Sequence, residues 1–395
     1  MVRIDDWSFM ELTPKQQRLR TEFHEFADAQ IMPNANAWDR TELMPDEIVR
    51  ELAKKGYLGA VLPADRGGAG FSMVEFGLLN EELGRGCSSL RSLLTVHSMV
   101  ALTVWRWGTE AQKAQWLEKL GQGQAIGAFA LTEAEAGSDA REIKTEAVAS
   151  GDDFLLSGHK KWITFAQVAD LFLVFARSQR GPCAFLLERN TPGLVISPVH
   201  GMLGTRASMI AELHLEQCRV PKQNLVGAPG FGLSHIASSA LDCGRYSVAC
   251  GCVGIAQACL DACLRYTSRR KQFGAFLRDH QLIQRMIARM VVGVKAARLL
   301  CYNAGQLKDA GDPASMIETS IAKYFACTTA AEIARDAVQI HGANGCSGEY
   351  PVERFYRDAK IMEVIEGSNE IQEITIARSA CQEIAEGVAT AQVKG

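Results

Sequence analysis

Glu366 stands between Ile365 and Gly367, within Tyr356-Arg357-Asp358-Ala359-Lys360-Ile361-Met362-Glu363-Val364-Ile365-Glu366-Gly367-Ser368-Asn369-Glu370. A carboxylate lodged in an apolar segment is costly unless it has a task. Burial raises its proton affinity, and a carboxylate poised near working pH can take a proton from carbon. Glu363, three residues earlier, reads as a solvated acid on a neighbouring helical face.

Five further segments could do chemistry. Phe129-Ala130-Leu131-Thr132-Glu133-Ala134-Glu135-Ala136-Gly137-Ser138-Asp139 is an apolar run ending in a turn rich in small residues and hydroxyls. Such a turn can bond the polar edge of a flat heterocycle, although alone it is first an ordinary strand-to-loop turn. In Lys161-Trp162-Ile163-Thr164, a strand would point Trp162 and Thr164 to one face, where they could flank a ligand. A core Trp with a surface Thr fits equally well. Arg269-Arg270-Lys271-Gln272-Phe273-Gly274, followed by Asp279-His280-Gln281, sets arginine beside a glycine break. That suits a pyrophosphate, or simply a basic helix C-terminus. Gln339-Ile340-His341-Gly342-Ala343-Asn344-Gly345 is a glycine-bearing helix end, by itself a C-cap. Leu241-Asp242-Cys243-Gly244-Arg245 opens a helix, and a surface ion pair is the plain reading of its two charges. No GxGxxG fingerprint or Walker A loop is present, and no spacing is seen that would ligate a metal.

The elements that must position these groups change texture twice. Up to about residue 125 the pattern is helical. Thr13-Pro14 opens one helix, Asp46 opens another that stops at Lys54-Lys55-Gly56, and Thr109-Glu110-Ala111-Gln112 is a capping box. Residues 126–228 carry short β runs at 154–158, 171–175, 184–187, 194–196 and 211–215. Helical periods return over 233–272, 279–310 and 314–343, with a last helix from about Asn369. The expected fold is mainly α with a β middle domain, divided at 1–125, 126–228 and 229–395.

Composition narrows the classes. A chain of 395 residues, 47% hydrophobic and 22% charged, is ordinary soluble globular material for two or three domains. Net charge is −3 with no Lys/Arg stripe, which argues against nucleic acid. The 12 cysteines include no CxxC pair and read as small buried hydrophobes in a reducing, cytoplasmic setting. Met1-Val2-Arg3-Ile4-Asp5-Asp6 has no apolar h-region, so no signal peptide is expected. The most apolar helix reads as Leu93 to Trp107, broken by polar residues and shorter than a membrane span.

In their order and spacing these segments resemble the acyl-CoA dehydrogenase family, almost end to end. The family's flavin motif is similar to Thr132–Asp139. Its Trp-Ile-Thr signature matches Trp162–Thr164, and its Arg-x-x-Phe-Gly matches Arg270–Gly274. Its Gln-x-x-Gly-x-x-Gly matches Gln339–Gly345, and its Arg-Asp-Ala-Lys…Glu-Gly-Ser matches Tyr356–Ser368. The resemblance implies a helical N-terminal domain, a β-barrel or sandwich domain and a C-terminal four-helix bundle that assembles a homodimer or homotetramer. It implies FAD, with Phe129, Leu131, Thr132, Gly137, Ser138, Trp162 and Thr164 along the isoalloxazine. Arg270, Gln272, Phe273, His280 and Gln281 are implied to reach a neighbouring subunit's FAD. Gln339, Gly342 and Ala343 would hold its diphosphate and adenosine side, with Ser368 and Glu370 nearby. Ser138, Asp242, Arg245 and Gly367 look like thioester contacts, and no metal is implied.

The implied reaction takes an α-proton from an acyl thioester with Glu366 as base, while flavin N5 accepts the β-hydride. Some members carry the base just before the arginine matching Arg245. Here that position is Gly244, which leaves Glu366. The usual proline of the flavin turn is replaced by Ala134-Glu135, and a bulky Phe165 follows Thr164. Cys87–Ser92, Gly244–Ile255 and Lys360–Ser368 are similar to the dehydrogenases of hydroxymalonyl and methoxymalonyl extender-unit pathways, which implies a small acyl group on an acyl carrier protein. The alternatives are a conventional short-chain acyl-CoA dehydrogenase served by an electron-transfer flavoprotein, and a flavin oxidase. A flavin monooxygenase would lack the glutamate, and a non-catalytic acyl-thioester module would leave the flavin motifs unexplained.

Overall fold

The computed structural model describes residues 11–393. The first six residues, on which the expectation about a signal peptide rests, lie outside the described residues.

The N-terminal helices are α1 (Pro14–Phe26), α2 (Ala35–Thr41), α3 (Asp46–Lys54), α4 (Met73–Gly86), α5 (Ser88–Trp107) and α6 (Glu110–Gly121). Local chemistry fixes their ends. Capping boxes close at Thr13/Gln16, Ser72/Glu75 and Thr109/Gln112, each satisfying two backbone donors. Past α3, Gly56 takes φ 73°, a conformation glycine enters at no steric cost.

Eight strands follow: β1 (Gly127–Ala130), β2 (Glu146–Ser150), β3 (Asp153–Ile163), β4 (Leu171–Ser178), β5 (Gly181–Glu188), β6 (Leu194–Pro198), β7 (Ala211–Pro221) and β8 (Leu225–Val226). They form one sheet in the order β6-β7-β3-β2-β4-β5-β8, with β1 parallel to β4. β2 joins β4 through a single register pair, Glu146–Arg177. The end strands do not pair with one another, so this is a connected open sheet rather than a closed barrel. Sequence periodicity missed β1 and β8, which are too short to show an alternation, and β2, where apolar Val148 faces solvent.

The C-terminal part contains α7 (Ser238–Thr267), a hairpin of β9 (Lys271–Gln272) and β10 (Ala275–Phe276), α8 (Gln281–Ala310), α9 (Ser315–His341), α10 (Val352–Met362) and α11 (Asn369–Val393). α7 packs on α4, α5, α8 and α9 at once. Glycines permit this: a Cβ at Gly84 or Gly254 would strike the backbone of the facing helix. Together with its leading turn, Gly232–Thr267 is the one described helix long and apolar enough to cross a membrane. It therefore outranks Leu93–Trp107 as the most apolar segment, and the reason is that it is the core helix of the bundle. Ten cysteines are buried free thiols, whereas Cys346 and Cys381 are exposed, against expectation.

α10 ties the three parts together. Arg357 pairs with Asp39 (2.6 Å) and Glu353 (2.8 Å) and donates to the Leu203 carbonyl (3.1 Å). Arg354 donates to Asn36 (2.8 Å) and the Gly86 carbonyl (3.3 Å). Buried Asp358 accepts from the Thr205 amide at 2.6 Å and faces Arg354 at 3.6 Å. Burial pushes the Asp358 carboxyl up to about 6. Removing one partner of a buried charge pair strands the other. Asp358→Ala is therefore expected to cost about 3–5 kcal/mol in urea unfolding; an unchanged midpoint would contradict this role for α10.

Candidate active site

α10 ends at Met362, and the chain then turns through Glu363–Ser368 before α11. Glu363 is half-buried and paired with Lys360 at 3.0 Å, so it is less solvated than its spacing predicted. Glu366 adopts φ 56° and Gly367 φ 86°. A left-handed glutamate is strained, and such strain persists only where the surroundings impose it. Three side chains do so. Arg245 Nε donates to the Glu366 carbonyl (3.1 Å), buried Lys323 donates to the Gly367 carbonyl (2.9 Å), and Gln372 donates to the same Gly367 oxygen (3.1 Å).

Anchored by its backbone, Glu366 presents a side chain whose Oε2 is fully buried without a hydrogen-bond partner among the described residues. Burial pushes its carboxyl up from 4.5 to about 7; the nearby charges of Arg245, Arg91 and Lys323 oppose the rise. Oε2 points at Gly244. A Cβ there would clash with Oε2 and lie 2.8 Å from the carboxyl carbon and 3.0 Å from Met99 Sδ. The absence of a side chain at 244 thus makes the space that the carboxylate uses.

Helices α5 and α7 pack together beside the carboxylate. Met99, Thr95 and Arg91 follow a helical stripe on α5, opposite Gly244, Ser247 and Gly251 on α7. Thr95 and Ser247 hydroxyls meet at 2.6 Å, and Ser247 donates to Asn80 at 2.5 Å. Arg91, fully buried, donates to Thr95 (2.8 Å), Ser247 (3.5 Å) and Met362 Sδ (3.4 Å). Its Nε has no partner among the described residues. Burial pulls the guanidinium below its ordinary value. A buried cation satisfied by hydroxyls and a thioether is an unusually expensive arrangement.

The loop after β1 is shaped from beneath. Buried Glu133 accepts from the Lys144 amide (2.6 Å), the Thr145 amide (3.0 Å) and hydroxyl (2.6 Å), and buried Lys160 (2.7 Å). The Lys161 amide donates to the Thr132 carbonyl at 2.9 Å, which brings Thr132 beside Trp162. Trp162 and Thr164 do not share a strand face. The β3–β7 register breaks between Lys160 and Ile163, Trp162 takes φ 62°, and Thr164 lies beyond the strand. The bulge turns the half-exposed Trp162 outward (46% exposed). Phe129 packs on Phe175 (5.0 Å between centroids) and Leu131 is buried in the core, so these two offer a ligand mainly backbone. Gly137 and Ser138 are exposed, with open space around Gly137. Asp242 is paired with Lys308 rather than with Arg245.

A second group lies elsewhere. Arg270, Gln272, Phe273, His280 and Gln281 surround the β9–β10 hairpin past the far end of α7, about 35 Å from Gly244 at helical rise. Tyr266 stacks on His341 at 4.2 Å, which places Gln339, Gly342 and Ala343 at that same end. Phe273 is 98% exposed at φ 51°. This group and the Glu366 turn therefore lie toward opposite ends of α7. Exposed aromatic rings held in strained backbone at Trp162 and Phe273, with open backbone at Gly137 and Gly342, suit a flat ring with a diphosphate tail. Ser368 and Glu370 lie at the start of α11, where a hydrogen bond from Ser368 holds the Glu370 carboxyl below its usual range. Sequence reading passed over Lys323, Gln372 and Met99, since isolated polar or apolar residues on long helices give no local signal.

Three family models match the chain: the acyl-CoA dehydrogenase N-terminal domain over 13–124, the middle domain over 128–218 and the C-terminal domain over 232–381. The rat mitochondrial short-chain specific acyl-CoA dehydrogenase is 39% identical over 374 residues, covering 93% of this chain and 90% of that protein. A glutaryl-coenzyme A dehydrogenase solved with glutaryl-CoA is 39% identical, with TM-score 0.91, covering 94% of this chain and 96% of the other. FkbI, for biosynthesis of the methoxymalonyl extender unit of the polyketide Fk520, is 34% identical, with TM-score 0.84, covering 92% and 99%. The chain belongs to the acyl-CoA dehydrogenase family, whose members are FAD-dependent oxidoreductases acting on CH–CH groups of acyl thioesters.

Two outcomes follow from this geometry. Gly244→Ala should lower turnover about 10²-fold by displacing the carboxylate, whereas Gly348→Ala, in open space, should leave it unchanged; equal rates for both variants would contradict the fit. The second concerns pH. Because the folded state binds the Glu366 proton more tightly than the unfolded chain, native stability falls as pH rises from 4.5 to about 7. Glu366→Gln should therefore be more stable than the parent above pH 7, by up to about 3 kcal/mol, with the gap closing toward pH 5. Denaturant titrations at both pH values check the sign.

Proposed function

We propose that this chain is an FAD-dependent acyl-thioester dehydrogenase in which Glu366 is the base. The acyl group is small with a polar or acidic end, and it is carried by an acyl carrier protein. The buried, unpartnered Glu366 Oε2 carries the reading, since it faces a slot bounded by Gly244 and Met99. A carboxyl raised to about 7 is half ionised near neutrality, the condition under which a base removes a weakly acidic proton most effectively.

FAD, when bound, supplies the two-electron acceptor for the β-hydride. Thr132, Trp162 and Thr164 would hold the ring edge and face, with backbone from Phe129, Leu131, Gly137 and Ser138. Arg270, Gln272, Phe273, His280 and Gln281 would serve the FAD of a second copy of the chain, with Gln339, Gly342 and Ala343 at its diphosphate and Ser368 and Glu370 nearby. Arg245 and Gly367 border the thioester, where Gly367 leaves room beside the guanidinium. Asp242 acts through its pairing with Lys308. The strained backbone at 366 fixes the carboxylate before substrate arrives, so little reorganisation accompanies proton transfer.

Arg91 supports the nature of the acyl group. Its guanidinium is buried, hydrogen-bonded only to hydroxyls and a thioether, and keeps an unpaired Nε, so a hydroxyl or carboxylate on an acyl end that reaches it would satisfy it. The likeness to FkbI, at 34% identity, supports a carrier-protein thioester; the 39% identity to a short-chain enzyme keeps a CoA thioester as the second reading.

The test is anaerobic titration of the yellow protein with matched thioesters on CoA and on carrier protein, watching flavin colour. Small hydroxyacyl or dicarboxylic acyl groups on carrier protein should bleach the flavin, and Glu366→Gln should bind FAD yet stay yellow. Arg91→Leu should slow polar acyl groups by about 10–100-fold relative to butyryl. Fast bleaching by butyryl-CoA in the parent, with no dependence on Arg91, would contradict the proposed acyl group. Reoxidation by oxygen as fast as by a redox dye would replace dehydrogenase by oxidase, and an electron-transfer flavoprotein is the expected acceptor otherwise.

A further inference from the structure

The outer face of the middle sheet carries a group of side chains that the dehydrogenase chemistry does not use. His159 on β3 and His214 on β7 are directly opposed in the antiparallel register. Glu212 lies two residues before His214 and Lys161 two residues after His159, so all four share one face. The imidazole rings are parallel within 12° at 4.2 Å between centroids. His159 Nε2 is 2.9 Å from Glu212 Oε2, and His214 Nε2 is 3.9 Å from the same oxygen. The three ligand atoms lie within 4.8 Å of one another and are half-buried.

The geometry points to a divalent transition-metal site of two imidazoles and one carboxylate, with zinc as the natural occupant. Zinc takes imidazole nitrogen and carboxylate oxygen at about 2.0–2.2 Å, which sets tetrahedral ligand atoms about 3.4 Å apart. The observed separations of 2.9 and 3.9 Å bracket that value, and the two parallel rings must rotate out of their stack for both nitrogens to converge on one ion. Lys161 holds the other carboxylate oxygen, Oε1, at 3.2 Å. That leaves Oε2 free for the ion and fixes the carboxylate plane, as outer-sphere partners do in metal sites. The neighbouring strand contributes Val195 opposite His214 and Ser197 opposite Glu212, neither of them charged. The partial exposure of both histidines leaves room for a water to complete the shell. An ion here would clamp β3 to β7 just before the bulge that carries Trp162.

Zinc uptake by the FAD-loaded, chelator-stripped protein tests this by isothermal titration at pH 7.5, with Co²⁺ absorption reporting the ligand set. One ion per chain is expected, with affinity weakened at least about tenfold in His159→Asn, His214→Asn and Glu212→Gln. Dehydrogenation should persist in all three variants, since none lies in the slot beside Glu366. No uptake by the parent, or equal uptake by the His159→Asn/His214→Asn double variant, would overturn the site. The second result would assign the ion elsewhere, such as the exposed thiols of Cys346 and Cys381.

Discussion

A single carboxylate oxygen, buried and without a hydrogen bond, sets the terms for the rest of this molecule. Leaving Glu366 Oε2 unsatisfied has a cost that the fold must meet from distant contacts. Lys323, Arg245 and Gln372 grip the backbone around it, so the strained φ of Glu366 belongs to a rigid loop. α10 delivers that loop, and α10 is itself held by Asp39 and Asn36 from the N-terminal helices and by backbone groups of Leu203 and Thr205 between β6 and β7. The three parts of the chain thus converge on the placement of one side chain.

The charges around the slot are uneven. Burial dominates at Glu366, raising the carboxyl despite three cations in its field. The same burial acts on Arg91, whose nearest partners are hydroxyls and sulfur. A raised carboxyl and an under-satisfied guanidinium thus stand within each other's field in one buried region. This is ground the protein holds before substrate arrives, and strain and desolvation at such positions are the usual mark of function over stability.

Much of this was legible in the residues. The helix starts at Thr13 and Thr109, the β texture of the middle region, and a costly carboxylate at Glu366 all follow from local rules. Other features depend on contacts between segments far apart in the chain. The left-handed turn at Trp162 breaks the period-2 inference for Thr164, because a bulge is set by cross-strand pairing rather than by the residues themselves. The apolar character of α7 was underrated because glycines and cysteines make a core helix look bland. Asp242 found Lys308 on α8, a pairing no spacing could announce. The His159–Glu212–His214 cluster is likewise invisible in sequence, since its members come from two strands joined only by register.

The most direct measurement is exchange of the α-hydrogen of a saturated acyl thioester that has no β-hydrogen, followed by NMR in D₂O, so that proton removal is seen apart from oxidation. With Glu366 as base, exchange should climb with pH, level off above about 7, and vanish in Glu366→Gln. Exchange that ignores pH across this range, or that survives in the variant, would show that some other group takes the proton.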